Sequence, residues 1–195
     1  MRPRVTNRLH RTLLCLALCG LVLAGCNSAE PEVFNPPDLR AARQFDRFRV
    51  YFAGRDVDGL PLTGASQAEH GRVGTEATFG YGDCDPPDGL FAEGGCSLPL
   101  SVQNWSTCYR WASQLHKPPR LFNFRGAKAT RGAGGSQLEV FTGRTTIVIW
   151  AHNRNVARSA ARQLRNVRTK RSAPTLPPPK PGSLQGKLAC QGKPD

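Results

Sequence analysis

The longest apolar run lies at the start of the chain, Leu13 to Leu23, and nothing charged interrupts it. Coiled as a helix at about 1.5 Å per residue, it reaches less than about 20 Å, short of a hydrocarbon core of about 30 Å. That length fits the core of a signal peptide and not a permanent span. No other stretch approaches 18 consecutive apolar residues. Residues 27–44 carry three prolines and mixed charge and predict a flexible tether, spanning on the order of 25 Å.

Beyond the tether, short aromatic or branched runs bounded by Gly, Pro and Asp predict strands. They are Arg49 to Phe52, Ala77 to Tyr81, Leu98 to Trp105, Arg120 to Lys128, Leu138 to Phe141 and Thr145 to Trp150. LEVFTGRTTIVIW reads as a hairpin turning at Thr142-Gly143-Arg144, and its second arm, the most apolar run of the domain, as a central strand. Asn153 can then cap a helix running to about Val167. Val156, Ala160, Gln163, Leu164 and Val167 share one face of it, with Gln163 alone polar. From Ser172 the chain is proline-rich and poor in large apolar groups, which predicts an extended or disordered tail.

The expected fold is α+β: a small antiparallel sheet with one C-terminal helix packed on it, between a flexible N-terminal tether and a Pro-rich tail. The boundaries are residues 1–25 for the signal peptide, 26–44 for the tether, 45–168 for one domain large enough for a real core, and 169–195 for the basic tail.

The end of the first apolar run carries the most specific chemistry. Arg2, Arg4, Arg8 and Arg11 form a positive head, the first 29 positions hold no acidic residue, and Leu23-Ala24-Gly25-Cys26 closes the segment. LAGC resembles the lipobox of bacterial lipoproteins. The resemblance implies cleavage between Gly25 and Cys26, a diacylglycerol on the Cys26 thiol, and acylation of the new amine. It implies a protein lipid-anchored to the cell membrane on its extracytoplasmic side. Two or three acyl chains hold a protein stably where one does so marginally. The succession GLPLT, YGDC, VQNW and FTGRTTIVI, over residues 47–167, is similar to a group of bacterial lipoproteins without an assigned activity, which supports a unitary domain and carries no mechanism across.

Charge changes the picture further. The chain has 27 basic and 14 acidic side chains, a net of +13, and without the four arginines of the first segment the remainder is +9. Residues 30–93 hold twelve acidic and six basic side chains, whereas residues 94–194 hold seventeen basic ones against Glu139 alone. On the expected helix, Arg154, Arg158, Arg162 and Arg165 fall within about 80° of one another, with no acidic residue to pair with them. Like charges at i, i+4 cost a few tenths of a kcal/mol each, so the stripe calls for solvent or an anionic partner. Anionic lipid head groups, an envelope polymer or an acidic protein fit outside the cytoplasm; compartment argues against nucleic acid.

Setting aside Cys15 and Cys19 in the signal and the lipidated Cys26, four cysteines remain: Cys84, Cys96, Cys108 and Cys190. In an oxidising compartment they allow two disulfides in three connectivities. The Pro- and Gly-rich loop between Cys84 and Cys96 favours that pair, leaving Cys108 with Cys190. Cys84, Cys96, Cys108 and His116 lack the close spacing of zinc motifs, and Asp83, Asp85 and Asp88 lack the alternation and closing Glu of a calcium loop. Neither metal nor cofactor is expected. His70, His116 and His152 stand in loop-like contexts without a recognisable nucleophile signature. Gly59 and Pro61 place Asp56 and Asp58 in a turn, and RGAGGS at 131–136 reads as a hairpin loop. No catalytic residue is assigned. The reading is a binding or envelope-associated module, with an extracytoplasmic hydrolase of unrecognised site as the alternative.

Overall fold

The computed structural model describes residues 39–69, 75–84, 97–106, 120–169 and 174–184. Gly25 and Cys26, the disulfide candidates Cys96, Cys108 and Cys190, and His70 and His116 lie outside them. No helix among the described residues is long and apolar enough to cross a membrane.

The described residues build a mostly β domain. Eight strands form one antiparallel sheet, β2 (Asp56–Val57), β3 (Leu60–Glu69), β4 (Thr75–Tyr81), β5 (Leu100–Ser106), β6 (Phe122–Phe124), β7 (Ala127–Arg131), β8 (Gln137–Thr142) and β9 (Thr145–Ala151). Their spatial order is β2-β3-β4-β5-β9-β8-β7-β6, two meanders joined where β5 meets β9. The sheet is therefore wider than the small one expected. A two-stranded ribbon of β1 (Tyr51–Phe52) and β10 (Arg165–Asn166) lies apart from it, Tyr51 opposite Asn166.

Tight turns with the backbone geometry of right-twisted hairpins set the register. Asp58 and Gly59 both take positive φ between the paired Val57 and Leu60, and Arg125 and Gly126 do the same between Phe124 and Ala127. Gly143 supplies the positive φ between Thr142 and Thr145. Arg120 to Lys128 is thus two strands, not one, because the chain reverses at Arg125-Gly126. Asp58-Gly59 likewise turns as read, but it opens the ten-residue β3, which the sequence pattern did not announce.

β9 is central, with β5 and β8 on either side. Ile147 and Ile149 are fully buried on one face, and Thr146 and Val148 are buried on the other. A strand covered on both faces reads as a continuous apolar run, which is the pattern TTIVIW carries. Each fully buried Ile is worth about 1.5–3 kcal/mol relative to an exposed one.

Among the described residues two α-helices join the sheet: α1 (Arg40–Gln44) and α2 (Arg154–Gln163). Asn153 caps α2 as expected, its Oδ1 accepting from the backbone N–H of Asn155 at 2.9 Å and of Val156 at 3.0 Å. Val156, Ala157, Ala160 and Ala161 face the sheet, and these small side chains let the helix lie close on β8 and β9. Gln163, the polar residue on this face, has a partner. With its amide nitrogen turned inward it donates to the carbonyls of Asp56 at 3.1 Å and Ala53 at 3.2 Å.

Three sequence boundaries shift. The helix stops at Gln163 instead of Val167, because Leu164 turns extended and the next two residues pair with β1. The end of the expected tether belongs to the domain: Leu39 and Ala42 are core residues, and burying them orders residues that proline content alone marks as loose. The tail is not free over residues 174–184, and it ends there in a turn. Leu176 enters the core, and Thr142 Oγ1 donates to the Pro177 carbonyl at 2.7 Å.

Candidate functional site

α2 rests on β8 and β9 and also meets β2, and beside it lie the residues of β6 and β7. A cleft of about 290 Å³ opens there, partly exposed to solvent.

Arg154, Arg158 and Arg162 line it from the exposed side of α2, and Arg131 at the end of β7 lines it from the sheet. The three helical arginines stand one turn apart at i, i+4, so their side chains are neighbours. Arg131 is held differently. Its guanidinium lies 4.6 Å over the Phe122 ring, which orients the plane of its N–H donors. Phe122, Phe124 and Leu138 supply an apolar floor, and Ala157 and Ala161 continue it onto the helix. Among the described residues no Asp or Glu lines the cleft, and none of these four guanidiniums has a carboxylate partner. Gly135, with φ +75°, forms part of the rim: a Cβ there would stand 2.8 Å from Arg154 Cδ.

Arg165, the fourth member of the expected stripe, is not in the cleft. The helix ends two residues before it, and its guanidinium sits 5.0 Å over the Phe52 ring instead. Arg131 takes its place, a residue the helical periodicity could not reveal because it comes from a strand. Its only signal in the sequence is membership of the basic half of the chain.

Arg125 fixes the helix end nearest the cleft. Its Nη1 donates to the carbonyls of Ala161, Arg162 and Leu164 at 3.1, 2.9 and 3.0 Å, where a terminating helix runs short of backbone donors; the Ala161 carbonyl also accepts from the Leu164 N–H. Burial lowers its pKa from the ordinary value.

The remaining candidates separate. Asp56 Oδ1 accepts from the Gly59 N–H at 3.0 Å and Asp58 Oδ1 from the Ser159 hydroxyl at 2.7 Å, so the two carboxylates do different structural work. RGAGGS is a hairpin loop with a single 3₁₀ turn, Ala133–Gly135. His152 is exposed, its Nδ1 3.1 Å from the Pro99 carbonyl. Cys84 is exposed just beyond β4. No group of His, Cys, Asp and Glu among the described residues could hold a metal ion.

No protein-family model matches the chain, and no curated protein or solved structure does so either.

Proposed function

We propose that this protein is a bacterial lipoprotein, anchored through acylated Cys26 on the extracytoplasmic side of the cell membrane, whose domain binds an anionic partner through the cleft beside α2. The anchor rests on the LAGC segment, its arginine head and its short apolar core. The binding role rests on one observation: Arg131, Arg154, Arg158 and Arg162 converge on one cleft that has no acidic residue among its described lining residues. Four exposed cations attract anions and raise association rates, with an effect that falls as salt rises.

Lipid anchoring would hold this face near a surface rich in phosphate, where each basic residue adds about 1 kcal/mol of attraction. The test is co-sedimentation of the chain carrying Cys26→Ser, which has no acyl anchor of its own to insert, with vesicles containing an acidic phospholipid and with an envelope polyanion. Retention should fall steeply with added salt and fail in the Arg158→Glu, Arg162→Glu double variant. Salt-insensitive retention, or retention unchanged in that variant, rejects the binding role. Intact-mass analysis of the mature protein checks the anchor separately, since an unmodified Cys26 would remove it.

A further inference from the structure

Resting on the anionic-partner reading, we propose that the cleft is a discrete one-to-one site for a phosphate monoester carried on a ring, and not only part of a flat basic surface. Size, charge and wall chemistry point the same way. A cleft of about 290 Å³ lies at the small end of the range of small-molecule sites, about 300–1,000 Å³. A ligand of about a dozen non-hydrogen atoms fills the same space: one phosphate group and one six-membered ring.

The charge of the walls calls for a dianion. Arg154, Arg158 and Arg162 repel one another along α2, and Arg131 faces them from β7. A phosphate monoester offers three terminal oxygens to planar guanidiniums that donate in pairs, the geometry in which arginine outperforms lysine. A single carboxylate would neutralise less of the cluster.

The floor distinguishes a ring-bearing phosphate from a bare one. Phe122, Phe124 and Leu138, with Ala157 and Ala161, form an apolar surface next to the cations. Inorganic phosphate would leave that surface wet, whereas an attached ring would cover it and pack against the half-buried phenyl groups. Part of the site is also set in advance. Arg131 is stacked on Phe122, and the helix end bearing Arg162 is tied down by Arg125.

Phenyl phosphate, inorganic phosphate and neutral benzyl alcohol are the probes, titrated calorimetrically into the full chain in a non-ionic detergent at low salt. Phenyl phosphate should bind one per chain, at least about ten-fold tighter than inorganic phosphate, and benzyl alcohol should not bind measurably. Arg162→Gln, at an exposed position that leaves the fold intact, should weaken both phosphates. Phe124→Leu should weaken phenyl phosphate alone. Equal affinity for the two phosphates in the unaltered protein, or more than one site per chain, overturns the proposal without relying on any variant. If that happens while acidic vesicles are still retained in an Arg158-dependent way, the discrete site falls and the broader binding role stands. If neither the phosphates nor the vesicles bind, both fall.

Discussion

The side-chain amide of Asn104 pairs with the backbone of Tyr51 as a neighbouring strand would. Its Oδ1 accepts from the Tyr51 N–H at 2.7 Å, and its Nδ2 donates to the Tyr51 carbonyl at 2.8 Å. Nδ2 also reaches the Ala77 carbonyl at 3.2 Å. Asn104 is fully buried between Ala77 on β4 and Ile147 on β9. One polar residue on an apolar face thus docks the β1–β10 ribbon, and with it the segment that follows α2, onto the sheet.

Replacing Asn104 with leucine keeps the volume but leaves the Tyr51 N–H and carbonyl without these partners in a dry site. Unmet buried groups cost about 1–3 kcal/mol each, so Asn104→Leu should lower stability by about 2–4 kcal/mol. Urea unfolding is the measurement, and a loss under about 1 kcal/mol would mean that water or another group replaces the amide.

Arg125 has a left-handed backbone (φ +51°) and still spends its side chain on the end of α2. Alanine there loses the three helix-end bonds and keeps the backbone strain; glycine loses the same bonds without the strain. Both variants should be destabilised, Arg125→Ala by about 1 kcal/mol more than Arg125→Gly. Thermal unfolding that ranks them the other way would show that the turn is not held in this conformation.

Alkaline pH should loosen the fold through Tyr81. Burial, the largest influence, pushes its phenol pKa up from the ordinary 10.0, while the Ala53 N–H and Arg165 pull it down by less. A group whose pKa is raised on folding contributes stability that is complete below its unfolded value and is lost above it. Between pH 10 and the higher folded value, stability should fall by about 1.4 kcal/mol per pH unit from this group. Tyr81→Phe removes the 2.9 Å bond from the Ala53 N–H and should cost about 1 kcal/mol at neutral pH. Its denaturation profile above pH 10 should be flatter than that of the unaltered protein; parallel profiles would place the alkaline sensitivity elsewhere.

At the rim of the cleft, Gly135→Ala should affect binding more than folding. The new methyl would crowd Arg154 Cδ at 2.8 Å, and φ +75° disfavours any side chain. Displacing Arg154 should weaken phenyl phosphate by about three-fold or more, against a stability loss of about 1 kcal/mol. Unchanged affinity would remove Arg154 from the site.

A disulfide between Cys84 and Cys96, with Cys108 joined to Cys190, remains the proposed pairing. Cys84 is not a free thiol. Closing the loop from Cys84 to Cys96 would be worth roughly 3 kcal/mol on the chain-entropy model. Proteolysis without reductant, followed by mass spectrometry, should recover those two cysteines in one linked fragment. Recovery of Cys84 linked to a different cysteine would replace this connectivity with another of the three.

Local pattern was enough for some of this. The hairpin LEVFTGRTTIVIW, the Asn153 cap and the run of arginines on the exposed face of α2 are each legible because a turn, a cap or a helical face involves residues a few positions apart. The same reasoning placed β9 at the centre of the sheet, since only a strand buried on both faces carries so unbroken an apolar run.

Long-range pairing decided the rest. No periodicity marks Arg-Gly as a reversal at Arg125, brings Leu39 and Leu176 into one core, or makes Asn104 the seat of Tyr51. The arginine stripe could be counted from spacing, yet its meaning depended on what lies beside α2. Exchanging Arg165 for Arg131 and setting the cations beside Phe122 and Phe124 follow from where α2 stops and from which strands flank it. Sequence fixes which side of an element is charged; only packing fixes what that side faces, because the facing residues lie far along the chain and meet through the sheet's hydrogen-bonded order.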